Sequence, residues 1–151
     1  MKLFLSKKED LTETEIEIRY REENEEFNEI LSLVRSVGER LIGIRDNGDE
    51  QVLSSSGILY FEAVERYVFA YGMSDVFKVR NTLYDLEERF KSSSFVRISK
   101  SLLVNICAVR RIVPENGRRL KLILNNGEAL IVSRGYVSDL KAAIGMKGEK
   151  R

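Results

Sequence analysis

The chain has 151 residues, of which 43% are hydrophobic and 32% charged, with a formal net charge of +1. That is one domain's length with enough apolar material to bury a core, and its apolar runs fall well short of the roughly 20 residues a membrane helix needs. There is no histidine and a single cysteine, Cys107, which excludes the commonest general base, a thiolate zinc site and an internal disulfide.

The charged N-terminus carries no signal-peptide core, so the expected location is the cytoplasm. The small net charge conceals a division. Residues 1–56 hold 8 basic and 14 acidic side chains, whereas residues 57–151 hold 17 basic and 10 acidic. Within residues 97–134 the count is 8 basic against 2 acidic. A footprint for a polyanion therefore lies in the second part alone.

In chain order, residues 1–14 are charged and aperiodic, a loose lead-in. Residues 15–20 alternate, with Ile16, Ile18 and Tyr20 on one side, and predict a half-buried strand. A helix follows, with Asn24 as N-cap, Glu25 and Glu26 at the positive end of the dipole, Phe27, Ile30, Leu31 and Val34 at helical spacing, and Gly38 as its stop. Residues 40–45 and 51–53 read as strands around an Asp46-Asn47-Gly48 turn. The tract Ser54-Ser55-Ser56-Gly57 marks the expected boundary between an acidic segment, 1–56, and a second domain, 57–145, with a polar tail at 146–151.

The second domain reads as β-rich. Residues 58–63, 65–71 and 76–80 are strands, the last two joined by a turn at 72–75. A short helix starts near Asn81 or Thr82, where Thr82 and Asp85 stand at capping-box spacing and Leu83, Leu86 and Phe90 share a face. Residues 95–98 are extended, and 102–105 read as strand or a single helical turn. A strand over 109–113 ends at Pro114, Asn116-Gly117 turns the chain into 118–124, and Asn126-Gly127 feeds a strand at 129–132. Residues 136–144 form a terminal helix with Gly145 as its stop.

No phosphate loop of the GxxxxGK(S/T) type is present, nor a GxGxxG, GxSxG or HExxH motif. The acidic run at 22–29 is the solvated face of a helix. No enzyme activity, cofactor, metal or small-molecule substrate is expected. Cys107 reads as a small core residue in preference to a redox sensor.

Two stretches carry the polar chemistry. FVRISKSLLVN, residues 95–105, places Arg97, Ser99, Lys100 and Ser101 between apolar runs. VSRGY, residues 132–136, does the same for Ser133 and Arg134. Lys100 and Arg134 lie at bends beside serines and next to buried runs, an arrangement suited to reaching a base edge such as guanine O6 and N7. Arg80, Asn81 and Thr82 at the opening of the short helix are candidate phosphate contacts, as is Arg97. Arg110, Arg111, Arg118, Arg119 and Lys121 sit on two strands joined by a turn. They read either as solubilising charge or as phosphate contacts, with Arg118 the one placed among the candidates.

The region from Gly57 to Ile144 resembles the LytTR-type DNA-binding domain of bacterial transcription regulators. The resemblance rests on ILYFEAVERYVFAY, NTLYDLEERF, FVRISKSLLVN with its following basic strand, and LKLILNNGEALIVSRGYVSDLK. It implies an α+β, mostly antiparallel β fold with short helices, here preceded by a small strand-helix-strand segment. It further implies binding of double-stranded DNA by loop side chains in successive major grooves. By that resemblance Lys100 and Arg134 fall on base-contacting positions, and Ser101, Thr82 and the backbone near Ser133 on phosphate-contacting ones. A third base contact falls near Arg66 and Tyr67. Where family members often carry His, this chain has Ser99.

Fifty-six residues are too few for a phosphorylatable receiver domain. The chain thus resembles the small stand-alone regulators of the family, which often have an inhibitory integral-membrane protein as partner, and it is expected to act as a homodimer on repeated half-sites. The acidic segment is the expected dimerisation or partner surface. The competing reading is a protein-interaction module whose basic face only solvates. An RNA-binding reading, in which Tyr67, Phe69 and Tyr71 stack bases, requires those aromatics to be exposed.

Overall fold

The alternation read around residues 58–71 builds the centre of the molecule. A computed structural model describes residues 1–11, 14–36, 40–91 and 93–145. In it strand β3 (Tyr60–Val64) pairs antiparallel with β4 (Tyr67–Tyr71) on one side and with β7 (Leu102–Asn105) on the other. Successive side chains of a strand point to opposite faces. Phe61 and Leu103 therefore enter one hydrophobic cluster, and their neighbours Tyr60 and Val104 enter a second on the other face. All four side chains are buried. The sheet extends through β5 (Val76–Val79), β1 (Arg40–Ile44) and β2 (Glu50–Ser54) on one flank and β6 (Phe95–Arg97) on the other. Its order is β2-β1-β5-β4-β3-β7-β6.

Helix α2 (Leu83–Arg89) covers the first face. Its start is the expected capping box: the Asp85 N–H donates to Thr82 Oγ1 at 3.1 Å, and the Thr82 N–H donates to the Asp85 carboxylate at 3.3 Å. Leu83, Leu86 and Phe90 are buried beneath it. The Phe90 ring lies 5.9 Å from Phe61 and 5.0 Å from Phe95, within the range of favourable ring contacts.

A second sheet covers the other face, with order β10-β9-β8. It comprises β8 (Val109–Glu115), β9 (Arg119–Leu124) and β10 (Ala129–Val132). Leu122, Leu124 and Val132 point inward and are fully buried, and helix α3 (Val137–Ala143) closes the cluster with Leu140. Gly127, at φ +87°, makes the β9–β10 turn that Asn126-Gly127 predicts. The Tyr60 hydroxyl ties the two sheets by donating to Glu128 at 2.7 Å. Burial and that carboxylate push the phenol well above its ordinary range.

Helix α1 (Glu25–Ser36) begins as expected, with the Phe27 N–H donating to Asn24 Oδ1 at 2.9 Å. Its expected stop at Gly38 and the tail at 146–151 lie outside the described residues. Three expectations are corrected, and one left open is decided. Residues 15–20 form no strand: Ile16 is 60% and Tyr20 55% exposed, because alternation makes a strand only where an edge pairs with it. β8 runs through Pro114, which pairs with Leu120; β8 is the edge of its sheet, where a missing N–H is tolerated. Of the two readings of residues 102–105, strand or single helical turn, the strand is the one formed. Cys107 is exposed, because the 3₁₀ turn after β7 directs Ala108 inward and Cys107 outward, with its Sγ 3.2 Å from Ser32 Oγ.

The β1–β2 hairpin shares both sheet and core with the following strands. Ile44 pairs with Lys78, and Leu41 and Leu53 join the cluster of Phe61 and Phe77. The Ser54–Gly57 tract thus connects two strands of one sheet.

Candidate nucleic-acid interface

The loop between β6 and β7 is short and heavily braced. Ile98 is fully buried and anchors it; its N–H donates to the Leu102 carbonyl at 3.0 Å, and the Ser101 N–H donates to Ser99 Oγ at 3.2 Å. Arg97 clamps the loop from within. Its Nε donates to the Ser99 carbonyl at 2.7 Å, its Nη1 to Glu87 at 2.8 Å, and its Nη2 to the Lys100 carbonyl. The guanidinium expected to meet phosphate is therefore engaged internally. What the clamp presents is Lys100, exposed and without an ion pair among the described residues.

The second stretch is bonded directly to the first. The Ser133 N–H donates to the Ile98 carbonyl at 2.9 Å, which carries β10 onto the loop. Ser133 is extended, and the next residues wind into a 3₁₀ turn, Arg134–Tyr136, closed by the Tyr136 N–H donating to the Ser133 carbonyl at 2.8 Å. Arg134 stands exposed at the start of this turn.

The β3–β4 hairpin is joined from the other side, where the Ala63 N–H donates to the Ser101 carbonyl at 2.9 Å. Its turn holds Glu65 at φ +56°, followed by exposed Arg66 and by Tyr67, 44% exposed. The Tyr67 ring carries Lys78 at 4.9 Å and Arg66 at 5.8 Å. Sequence reading missed Lys78: the signal is the Phe69–Lys78 cross-strand pair, which puts Lys78 on the Tyr67 face and depends on register. Phe69 and Tyr71 are half-buried, Tyr71 being stacked on Tyr60 at 4.4 Å, so no row of three free aromatics is offered to RNA bases.

The remaining candidates divide. Arg118 sits at φ +61° in the β8–β9 turn; since Leu120 pairs with Val132, that turn lies at the same end of the sheet as Ser133 and Arg134. Arg80 is exposed and paired with Glu50 at 2.7 Å, and Asn81 is half-buried. Both the hydroxyl and the N–H of Thr82 are used by its capping box. Lys121 bonds Glu115 at 3.3 Å, a contact that holds the Glu115 carboxyl below the ordinary carboxylate range.

Residues 51–145 match the family model of the LytTr DNA-binding domain. The chain belongs to this family. Its mostly antiparallel fold is also that of a LytTr DNA-binding domain from a Bacillus cereus methyl-accepting/DNA response regulator. The superposition has a TM-score of 0.67 at 22% identity, over 72% of this chain and all of that one. The chain is similar over almost its whole length to an uncharacterized HTH-type transcriptional regulator of Staphylococcus aureus strain MSSA476, at 27% identity over 93% of this chain and 95% of the relative. It is also similar to the sensory transduction protein LytT of Enterococcus faecalis, at 29% identity over 58% of this chain and 37% of that protein. Among the described residues no two α-helices follow one another, so they form no helix-turn-helix. No described helix is long and apolar enough to cross a membrane.

Proposed function

We propose that the protein is a sequence-specific, double-stranded-DNA-binding transcriptional regulator that reads bases with loop side chains in the major groove, as a dimer on repeated half-sites. The observation that carries this is the pair of backbone hydrogen bonds, Ala63 to Ser101 and Ser133 to Ile98, at 2.9 Å each. They fix three short segments side by side, each bearing an exposed cation: Arg66 beside Tyr67, Lys100, and Arg134. Lys100 and Arg134 are the base readers, with Arg66 and Tyr67 the third contact. Ser101 and Ser133 hold phosphate, with Arg118 at the same end of the second sheet. Arg80 and Asn81 flank the main face. In this reading residues 1–56 serve dimerisation or partner binding and 57–145 bind DNA, with the β1–β2 hairpin of the first part extending the sheet of the second.

The test is selection of a bound site from a random DNA pool, followed by titration of Lys100→Ala and Arg134→Ala. Each loses about 1–3 kcal/mol on the selected site and little on random duplex. Equal losses on both DNAs would reduce these residues to phosphate contacts. Failure to retard any duplex at moderate salt would favour the interaction-module reading.

A further inference from the structure

We propose that residues 15–20 of one chain add as a strand to the free edge of β2 in a second copy, so that two chains exchange acidic arms. β2 has β1 on one side only. Such an edge presents a row of unused N–H and C=O groups ready to receive another strand. Beside it the cross-strand pair Ile42 and Val52 remains 42% and 59% exposed. These two side chains line a cavity of about 330 Å³ with Arg40, Arg80 and Arg89. Arg80 already faces Glu50, but among the described residues Arg40 and Arg89 have no carboxylate partner. The receiving surface is therefore a bare backbone edge with an apolar strip and surplus positive charge.

The arm has the complementary pattern. Ile16, Ile18 and Tyr20 alternate with Glu15, Glu17 and Arg19, and residues 15–29 hold 7 acidic and 2 basic side chains. Among the described residues Glu17 meets only Arg19, at 3.3 Å, with both exposed. Laid along β2, the isoleucines extend the strip of Val52 and Ile42 on one face, while the carboxylates, which point to the opposite face, approach Arg89 of α2, the helix that covers that face. Within one chain the arm is held elsewhere: the Tyr20 ring sits 4.1 Å from Phe27, and the Met1 ammonium lies 3.7 Å from Glu26, both on α1. Among the described residues the backbones of arm and edge are thus both without a strand partner in the single chain. Every copy carries one of each, so reciprocal exchange closes a two-fold dimer with neither left over.

The inference deepens the dimer reading above and is tested without DNA. In a Cys107→Ser background, a chain with Ile18→Cys is mixed with a differently sized tagged chain carrying Val52→Cys, under mild oxidation. Opposed residues in a strand pair bring their Cα atoms within disulfide reach. A covalent heterodimer is expected, lost when Glu15→Arg and Glu17→Arg are added. No heterodimer above that given by Val96→Cys on the opposite edge would overturn the proposal. So would intramolecular closure at high dilution of one chain carrying both cysteines, which places the arm in cis. In parallel, Ile16→Lys with Ile18→Lys weakens self-association at least tenfold by sedimentation, with an unchanged circular-dichroism spectrum. A dimer that persists in this variant also counts against it. Since no arm of the experiment uses DNA, its failure leaves the DNA-binding reading standing, and loss of DNA binding leaves the crosslink standing.

Discussion

Replacing Glu87 by Gln removes a negative charge from a DNA-binding protein, and long-range electrostatics alone predicts tighter binding to any duplex. The loop geometry predicts weaker binding to the cognate site. Glu87 holds the Arg97 guanidinium at 2.8 Å, with side-chain exposures of 41% and 21%, and Arg97 in turn holds the carbonyls of Ser99 and Lys100. A fully exposed ion pair contributes about 0.2–1 kcal/mol, and breaking a buried one costs about 3–5 kcal/mol. With one partner more than a third exposed, solvent screening brings this pair to about 1 kcal/mol. Spent wholly on the ordered state of the loop, that is up to about a fivefold loss of affinity. Fluorescence anisotropy on a selected site and on random duplex across a salt series reads it directly. Glu87→Gln should weaken the selected site only, and Arg97→Met should do the same without lowering the salt slope. If Glu87→Gln tightens both DNAs and Arg97→Met reduces the slope by about 1, Arg97 is a phosphate contact and the clamp is wrong.

Two further outcomes follow from side chains with internal roles. Thr82→Ala should cost about 1 kcal/mol of stability in denaturant unfolding through loss of the cap, with DNA affinity unchanged while the fold is intact; an equal loss of affinity on selected and random duplex would assign the hydroxyl to phosphate. Lys121→Met should let the Glu115 carboxyl rise toward its ordinary range, since the Lys121 contact is the main cause of its depression. A depressed carboxyl favours the fold above the ordinary carboxylate range and loses that effect as pH falls through its folded value, so the variant should show less of this acid sensitivity. An unshifted Glu115 resonance in an NMR titration would refute it.

Elements defined by local chemistry were legible from the residues. Thr82 and Asp85 form both bonds of the capping box, Gly127 takes the left-handed turn, and the alternation of Leu122 and Leu124 faces the core. What could not be read depended on a partner distant in the chain. Residues 15–20 have a strand's pattern but pair with no edge in the single chain, and nothing local distinguishes that case from a paired strand. The serine-rich tract at 54–57 has a linker's composition, yet the lone Ile44–Lys78 pair and the buried Leu41 and Leu53 place the hairpin before it in the same sheet. Pro114 halts an interior strand but not an edge, and edge status is a property of the sheet.

Basic composition marks the proposed interface but overstates the charge that stretch offers. Of the cations in residues 97–134, Arg97 is tied to Glu87 and two loop carbonyls, Lys121 to Glu115, and Arg119 Nε to the Asn116 carbonyl. Each brings a turn or strand into register. Lys100 and Arg134, which resemble them in the sequence, are exposed at the ends of segments pinned by the buried side chains of Ile98 and Val132. A flexible lysine on a loose loop would lose much of its selectivity to its own freedom; one at a clamped turn starts closer to a single orientation. The internally bound arginine and the free lysine three residues later therefore form one device, in which the first fixes the backbone from which the second reaches.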